Sequence, residues 1–182
     1  MKEKNMIYWS HFVHRDWKIY MAATEKGLAF VGSQNGPFEE LAEWAEKCRP
    51  GCTLLCDEPR LEAYGRRLAE YFDGVQEVSA LPVDVQGTPF QRDVWEALRS
   101  IPYGETRSYS DIAEQIGKSS AVRAVAAAIG ANPVLIEIPC HRVVGKNGKL
   151  TGYRGGLDMK ARLLQLEAQR EAAFVPAGVG SR

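Results

Sequence analysis

Residues 88–130 read TPFQRDVWEALRSIPYGETRSYSDIAEQIGKSSAVRAVAAAIG, and their periodicity decides the architecture of the second half of the chain. Phe90, Val94, Trp95 and Leu98 recur at helical spacing, predicting an amphipathic helix over 90–100 that starts at Thr88 or Pro89. The turn-rich IPYGET segment follows. A second helix is expected over 109–116, capped near Ser108 and ended by Gly117, with Ser119 or Ser120 capping a third helix that runs through Ile129. Val122, Val125, Ala126 and Ile129 form the buried stripe of that third helix, which places Arg123 on its flank. Two helices joined by a turn of Gly and Ser resemble a helix-turn-helix, whose second helix enters a DNA groove. Many helical hairpins share the pattern, so plain helix packing is the commoner reading of it alone.

Working back toward the amino terminus, 18–24 and 27–31 predict two strands around a Glu25-Lys26-Gly27 turn. A helix over 38–47, a short strand over 52–57 and a stronger helix over 61–72 follow, the last with Leu61, Tyr64, Leu68, Tyr71 and Phe72 near one side. Strands followed by helices imply a small α/β lobe. Gly74, Pro82, Gly87 and Pro89 interrupt the periodicity across 73–89, which reads as the connection between lobes. The expected divisions are an α/β lobe over 1–87, a mainly α domain over 88–170, and a flexible tail over 171–182, where Pro176, Gly178 and Gly180 accumulate.

The chain has 182 residues, with 23 Lys and Arg against 23 Asp and Glu, which excludes a histone-like polycation. The balance hides an asymmetry: residues 1–90 carry 10 basic and 14 acidic side chains, whereas residues 91–170 carry 12 basic and 8 acidic. That polarity suits a polyanion docked on the second half, and equally a solvated face. At 45% hydrophobic and 25% charged residues, wholesale disorder is excluded. The opening MKEKNMIYWSHF lacks the apolar run of a signal peptide, and no uncharged stretch approaches the roughly 20 residues that span a bilayer, so a soluble, cytoplasmic protein without membrane contact is expected. Cys48, Cys52 and Cys56 have four-residue spacing broken by Pro50 and Gly51 and lack a paired zinc knuckle, so neither a metal site nor a disulfide framework is expected.

Most of the chemistry is carried by residues 132–144, NPVLIEIPCHRVV, an apolar run ending abruptly in Cys140, His141 and Arg142. An imidazole or guanidinium beside a thiol stabilises the thiolate, and Pro139 restrains the backbone that approaches it. A small hydrophobe at a strand end is the plain alternative for Cys140. Neighbouring side chains of an extended segment point oppositely, so a working pair needs a local turn or a bridging water.

Through IPCHRVV, the preceding Asn132-Pro133 and the following TGYRGGLDMKARLLQLE, the chain resembles the 6-O-alkylguanine-DNA alkyltransferases, also called methylated-DNA to protein-cysteine methyltransferases. The resemblance is clear from about Thr88 to Glu167 and fainter before it. It implies a ribonuclease-H-like α/β amino-terminal lobe followed by a winged-helix-like DNA-binding domain. It also implies stoichiometric, irreversible transfer of an alkyl group, chiefly methyl, from the 6-oxygen of guanine to Cys140, with the 4-oxygen of thymine as a further candidate. Alkylated double-stranded DNA is then the partner, the protein acts as a monomer, and no cofactor is needed. His141 matches the water-linked base, Glu167 the carboxylate that orients it, Asn132 the asparagine that holds the loop, and Tyr109 the tyrosine that helps extrude the nucleotide and protonate the departing guanine. Arg123 matches the arginine that fills the stack left by the flipped base. Ser108, Ser120 and Ala124 accompany Tyr109 and Arg123 as expected DNA contacts, and Leu135, Tyr153, Arg154 and Gly155 as expected walls of the substrate pocket.

Two positions depart from common patterns of the family: Leu135 stands where many members have proline, and Glu137 sits in an otherwise apolar stretch. Leu135 is expected to disfavour bulky ring-bearing alkyl groups. Glu137 must be exposed or paired, because burying it alone is costly. The alternatives to transfer are a protein that recognises alkylated DNA without reacting, against which the acceptor Cys140 argues, and a cysteine hydrolase using Cys140 and His141 over many turnovers.

Overall fold

Alternation along one strand sets the first layer. In β2 (Trp17–Thr24), Trp17, Ile19, Met21 and Ala23 face one side of the sheet, and Tyr20 and Ala22 the other. β2 pairs antiparallel with β1 (Met6–His14) and with β3 (Gly27–Val31), and β4 (Thr53–Cys56) joins the far edge of β1 in parallel, giving the order β3-β2-β1-β4. The computed structural model describes residues 5–75 and 80–173, with side chains up to residue 169 in the last helix.

Helix α1 (Phe38–Cys48) covers one face through Leu41 and Ala45, against Ile7, Ala22 and Phe30. Helix α2 (Glu58–Phe72) covers the other through Leu61, Leu68, Tyr71 and Phe72. It starts three residues before its first apolar position because Asp57 caps it, accepting from Arg60 N at 3.1 Å. The two expected strands of the hairpin are present, but the sheet holds a further strand that the sequence reading passed over. β1 is central, between β2 and β4, and begins within the opening segment, which the sequence marks only by its lack of a signal-peptide apolar run.

In the second half, Thr88 and Gln91 form a reciprocal capping box at the start of α3 (Pro89–Arg99), and Ser108 and Asp111 form another at α4 (Tyr109–Gln115). Gly117, at φ +70°, leaves α4 in the left-handed conformation that suits a helix end. The expected cap of the third helix is displaced: α5 (Val122–Gly130) follows Ala121 at its N-cap, with no side-chain capping bond from Ser119 or Ser120. Of the expected stripe, Val125 and Ile129 are buried and Val122 packs half-buried on the core, while Ala126 is half-buried and Ala128 is buried as well; Trp95 Nε1 donates to Ala128 O at 2.8 Å, tying α3 to α5. A short parallel pairing of β5 (Arg107–Ser108) with β6 (Val143–Val144) ties the start of α4 to the segment just after Cys140.

One hydrophobic cluster runs from the α2 face of the sheet into α3, α4 and α5. The chain crosses between lobes along the β3 edge, where Leu28 N donates to Pro82 O and Val31 N to Pro133 O. The last helix, α6 (Leu157–Ala173), packs Met159, Leu163 and Leu166 inward. The flexible tail expected over 171–182 therefore begins as helix, because the backbone is helical through Ala173; the remainder, 174–182, lies outside the described residues. Among the described residues, no helix is long and apolar enough to cross a membrane.

Candidate active site

After α5 the chain turns through Asn132 and Pro133 and descends to a 3₁₀ turn at Cys140–Arg142. That turn resolves the problem of adjacent side chains, because it lets Cys140 and His141 both face the interior rather than opposite sides of a strand. Asn132 holds the descent at three points. Its Nδ2 donates to Ile138 O at 2.8 Å and to Cys140 Sγ at 3.2 Å, and its Oδ1 accepts from Val134 N at 2.9 Å. Within this loop Ile136 has φ +74°, a conformation that a β-branched residue adopts only where its surroundings impose it. One constraint comes from the other lobe: Glu137, with its side chain 6% exposed, is paired at 3.2 Å with Arg67 of α2. Burial pushes the Glu137 carboxyl up, and Arg67 opposes the shift.

Cys140 is 4% exposed, and burial pushes its thiol up; the Asn132 hydrogen bond and the charges of Arg154 and Lys160 pull the other way. The sulfur is therefore a neutral thiol in need of a base. His141 is fully buried, which lowers its basicity, while Glu167 acts to raise it. His141 Nε2 lies 2.7 Å from Glu167 Oε1, so with an ionised carboxylate the proton belongs on Nε2. Nδ1, also buried, has no hydrogen-bond partner among the described residues and is the nitrogen left to accept a proton.

Glu167 is held on every side. Tyr71 donates to Oε1 at 2.7 Å, Arg142 donates through Nε to Oε2 at 2.9 Å and through Nη2 to Oε1 at 2.9 Å, and Gly104 N donates to Oε2 at 3.2 Å. Burial opposes ionisation, but the hydrogen bonds and charges of His141 and Arg142 outweigh it and bring the carboxyl down to about 2. Lys160, fully buried, donates to Val143 O at 2.6 Å and Thr151 O at 2.8 Å, bracing the chain on either side of the loop that follows the cysteine.

The remaining expected residues divide into two groups. Ser108 caps α4, Tyr109 begins it half-buried with its hydroxyl accepting from Thr151 Oγ1 at 3.0 Å, and Ser120, Arg123 and Ala124 are exposed around the start of α5. Leu135, Tyr153 and Gly155 meet one another: a Cβ on Gly155 would come within 2.7 Å of Tyr153 Cε1 and 3.2 Å of Leu135 Cδ1. Arg154, beside them, donates to Asn132 O, Pro133 O, Val31 O and Glu40, so its contacts join the two lobes.

Tyr71 was missed as a polar participant because its helical spacing with Leu68 reads as core. The signal available was chemical: a phenol at a core position needs a partner for its hydroxyl.

Known proteins resemble this chain along nearly its full length. The model for the 6-O-methylguanine DNA methyltransferase ribonuclease-like domain matches residues 7–85, and that for the DNA binding domain of the same family matches residues 89–169. The inducible methylated-DNA--protein-cysteine methyltransferase of Bacillus subtilis (strain 168) is 58% identical over 164 residues, covering 90% of this chain and 92% of its own. The methylated-DNA--protein-cysteine methyltransferase of Mycolicibacterium paratuberculosis is 51% identical over 148 residues, covering 81% and 90%. The crystal structure of Mycobacterium tuberculosis OGT in complex with DNA superposes with a TM-score of 0.74 at 36% identity, covering 91% of this chain and 94% of that one. With both halves matched, in order, around a buried Cys-His-Glu arrangement, the chain belongs to the 6-O-methylguanine DNA methyltransferase family.

Proposed function

We propose that the protein repairs alkylated double-stranded DNA by transferring the alkyl group from the 6-oxygen of guanine to Cys140 Sγ, once per molecule. Cys140 would be the acceptor, His141 the base and Glu167 its orienting partner. The single observation that carries these roles is the buried chain from Asn132 through Cys140 to His141 and Glu167, with His141 Nε2 committed to the carboxylate. In the step, His141 Nδ1 takes the thiol proton through a water, sulfur forms a bond to the alkyl carbon, and the bond from that carbon to the guanine oxygen breaks. The electron pair leaves on guanine, and the Tyr109 hydroxyl supplies a proton to it. The product is a thioether, which has no easy hydrolysis route, so the reaction stops after one turnover and requires no cofactor.

A modified atom inside a stacked duplex cannot meet a buried sulfur, so the nucleotide must be extruded, with Arg123 filling the space it leaves. Arg123 and Ala124 on exposed positions of α5, and Ser120 in the turn before it, support a DNA face formed by α4 and α5. Ser108 and Tyr109 complete it at the start of α4. Leu135, Tyr153 and Gly155 would wall the guanine pocket. We place the two functional units at residues 1–87 and 88–170 and read the protein as a cytoplasmic monomer, with thymine alkylated at its 4-oxygen as a further substrate.

The test is intact mass after exposure to a duplex bearing 6-O-methylguanine. The mass should rise by one methylene per protein and then stop, and it should not rise for Cys140→Ser. No rise in the unsubstituted protein, or continued turnover, would refute the assignment.

A further inference from the structure

One hydrogen bond to Glu167 comes from the other lobe. Tyr71, in the last turn of α2, is 2% exposed; its hydroxyl donates to Glu167 Oε1 at 2.7 Å and lies 3.4 Å from His141 Nε2. The phenol and the imidazole therefore share one carboxylate oxygen, to which Arg142 Nη2 also donates. The placement of the carboxylate does not depend on Tyr71, since Arg142 Nε and Gly104 N hold Oε2. What the phenol changes is the electron density that Oε1 offers to His141.

We propose that Tyr71 is a positioning residue of the alkyl transfer, acting through Glu167 to moderate the carboxylate's hold on His141 and so keep the imidazole neutral and free to take the Cys140 proton. The proposal rests on the function set out above. A carboxylate released from one donor attracts an adjacent imidazolium more strongly and raises its pKa. Among the described residues, the other groups facing Tyr71, His141 and Glu167 are Arg142 in the 3₁₀ turn, Lys160 on α6, Tyr103 in the loop after α3 and Tyr153 in the loop before α6. Glu137, in the loop before the cysteine, faces Arg142 in turn. Tyr71 remains protonated throughout the working range, because burial and the neighbouring carboxylate push its hydroxyl well above the ordinary value. It therefore acts as a constant donor and adds no titration of its own. No covalent bond changes at Tyr71; the thiol proton still ends on His141.

The experiment measures single-turnover methyl transfer from a 6-O-methylguanine duplex between pH 5 and 9, with the amplitude reporting folded, competent protein. For Tyr71→Phe, the acid limb of the rate profile should move upward by about half a pH unit or more, with the DNA dissociation constant unchanged. Site-specific 3-fluorotyrosine at position 71 preserves the ring and donates more strongly, so it should move the limb downward. In a Glu167→Gln background, Tyr71→Phe should move nothing. Superimposable profiles for the phenylalanine and fluorotyrosine proteins, or a loss of amplitude with no movement of the limb, would overturn the proposal. Absence of transfer by the unsubstituted protein would overturn the function and this proposal together; transfer with an unmoved limb overturns this proposal alone.

Discussion

Arg154 Nη1 lies 2.6 Å from Glu40 Oε1, joining the loop that follows Cys140 to the first helix of the other lobe. The same guanidinium donates to Val31 O, Asn132 O and Pro133 O, so one side chain connects the sheet edge, α1 and the residue that holds Cys140.

Replacing Arg154 by Ala leaves Glu40 without its ion-pair partner and removes donors from three carbonyls. The expected cost is about 2–4 kcal/mol in urea unfolding. Because Asn132 loses its backing, methyl transfer should slow as well. Glu40→Gln retains a hydrogen-bond acceptor and should cost less. A double-mutant cycle that shows no coupling between positions 40 and 154 would contradict this account.

Asn132 stabilises the charged form of a sulfur that burial disfavours. Asn132→Ala should push the Cys140 thiol further up and slow transfer at neutral pH by about tenfold or more. Iodoacetamide labelling against pH reads the thiol directly. In the unsubstituted protein, labelling should rise only above the ordinary thiol range, and in the variant at still higher pH.

The acid behaviour follows from Glu167. Its carboxyl is at about 2 in the folded protein against an ordinary value of 4.5, so the ionised form favours folding. That contribution is fully present above about pH 4.5 and is lost as pH falls through about 2. Glu167→Gln should be the less stable protein at neutral pH, where Arg142 loses its ionic partner. The urea midpoints of the two proteins should converge as pH falls through this window. Parallel curves down to pH 2 would show that the carboxyl is not depressed.

The helices were legible because their signals are local: Thr88 and Ser108 cap, Gly117 stops, and apolar residues recur every three or four positions. Strand β1 was not, since IYWSHFVH mixes polar and aromatic residues and its central place depends on pairing with β4, far along the chain, as well as with the adjacent β2. The start of α5 also differs from its local signal: two serines offered caps, but the helix begins after Ala121 with no side-chain capping bond. At the site, Cys140 and His141 stand out as neighbours in the sequence, whereas Glu167 was readable only through resemblance, because it lies 26 positions beyond the imidazole it meets. Tyr71 and Arg154 illustrate the limit. The partners of Tyr71, and Val31 and Glu40 among those of Arg154, lie in the other lobe, and neither periodicity nor charge marks a contact of that range.

Leu135 gives the sharpest test of substrate size. It is fully buried, with Cδ1 beside Gly155, where even an added methyl group would crowd Tyr153 and Met159. A branched side chain at this position takes up volume that a ring-bearing alkyl group would need, whereas a methyl group asks for little. The unsubstituted protein should therefore transfer methyl from guanine in duplex DNA faster than benzyl. Leu135→Ala should raise the benzyl-to-methyl rate ratio, and it should also cost about 2–5 kcal/mol of stability through the cavity it leaves. Both rates are measured under single-turnover conditions on otherwise identical duplexes, below the unfolding temperature of the variant. Comparable rates for the two groups in the unsubstituted protein would mean that the pocket opens past Leu135, and that size is selected elsewhere.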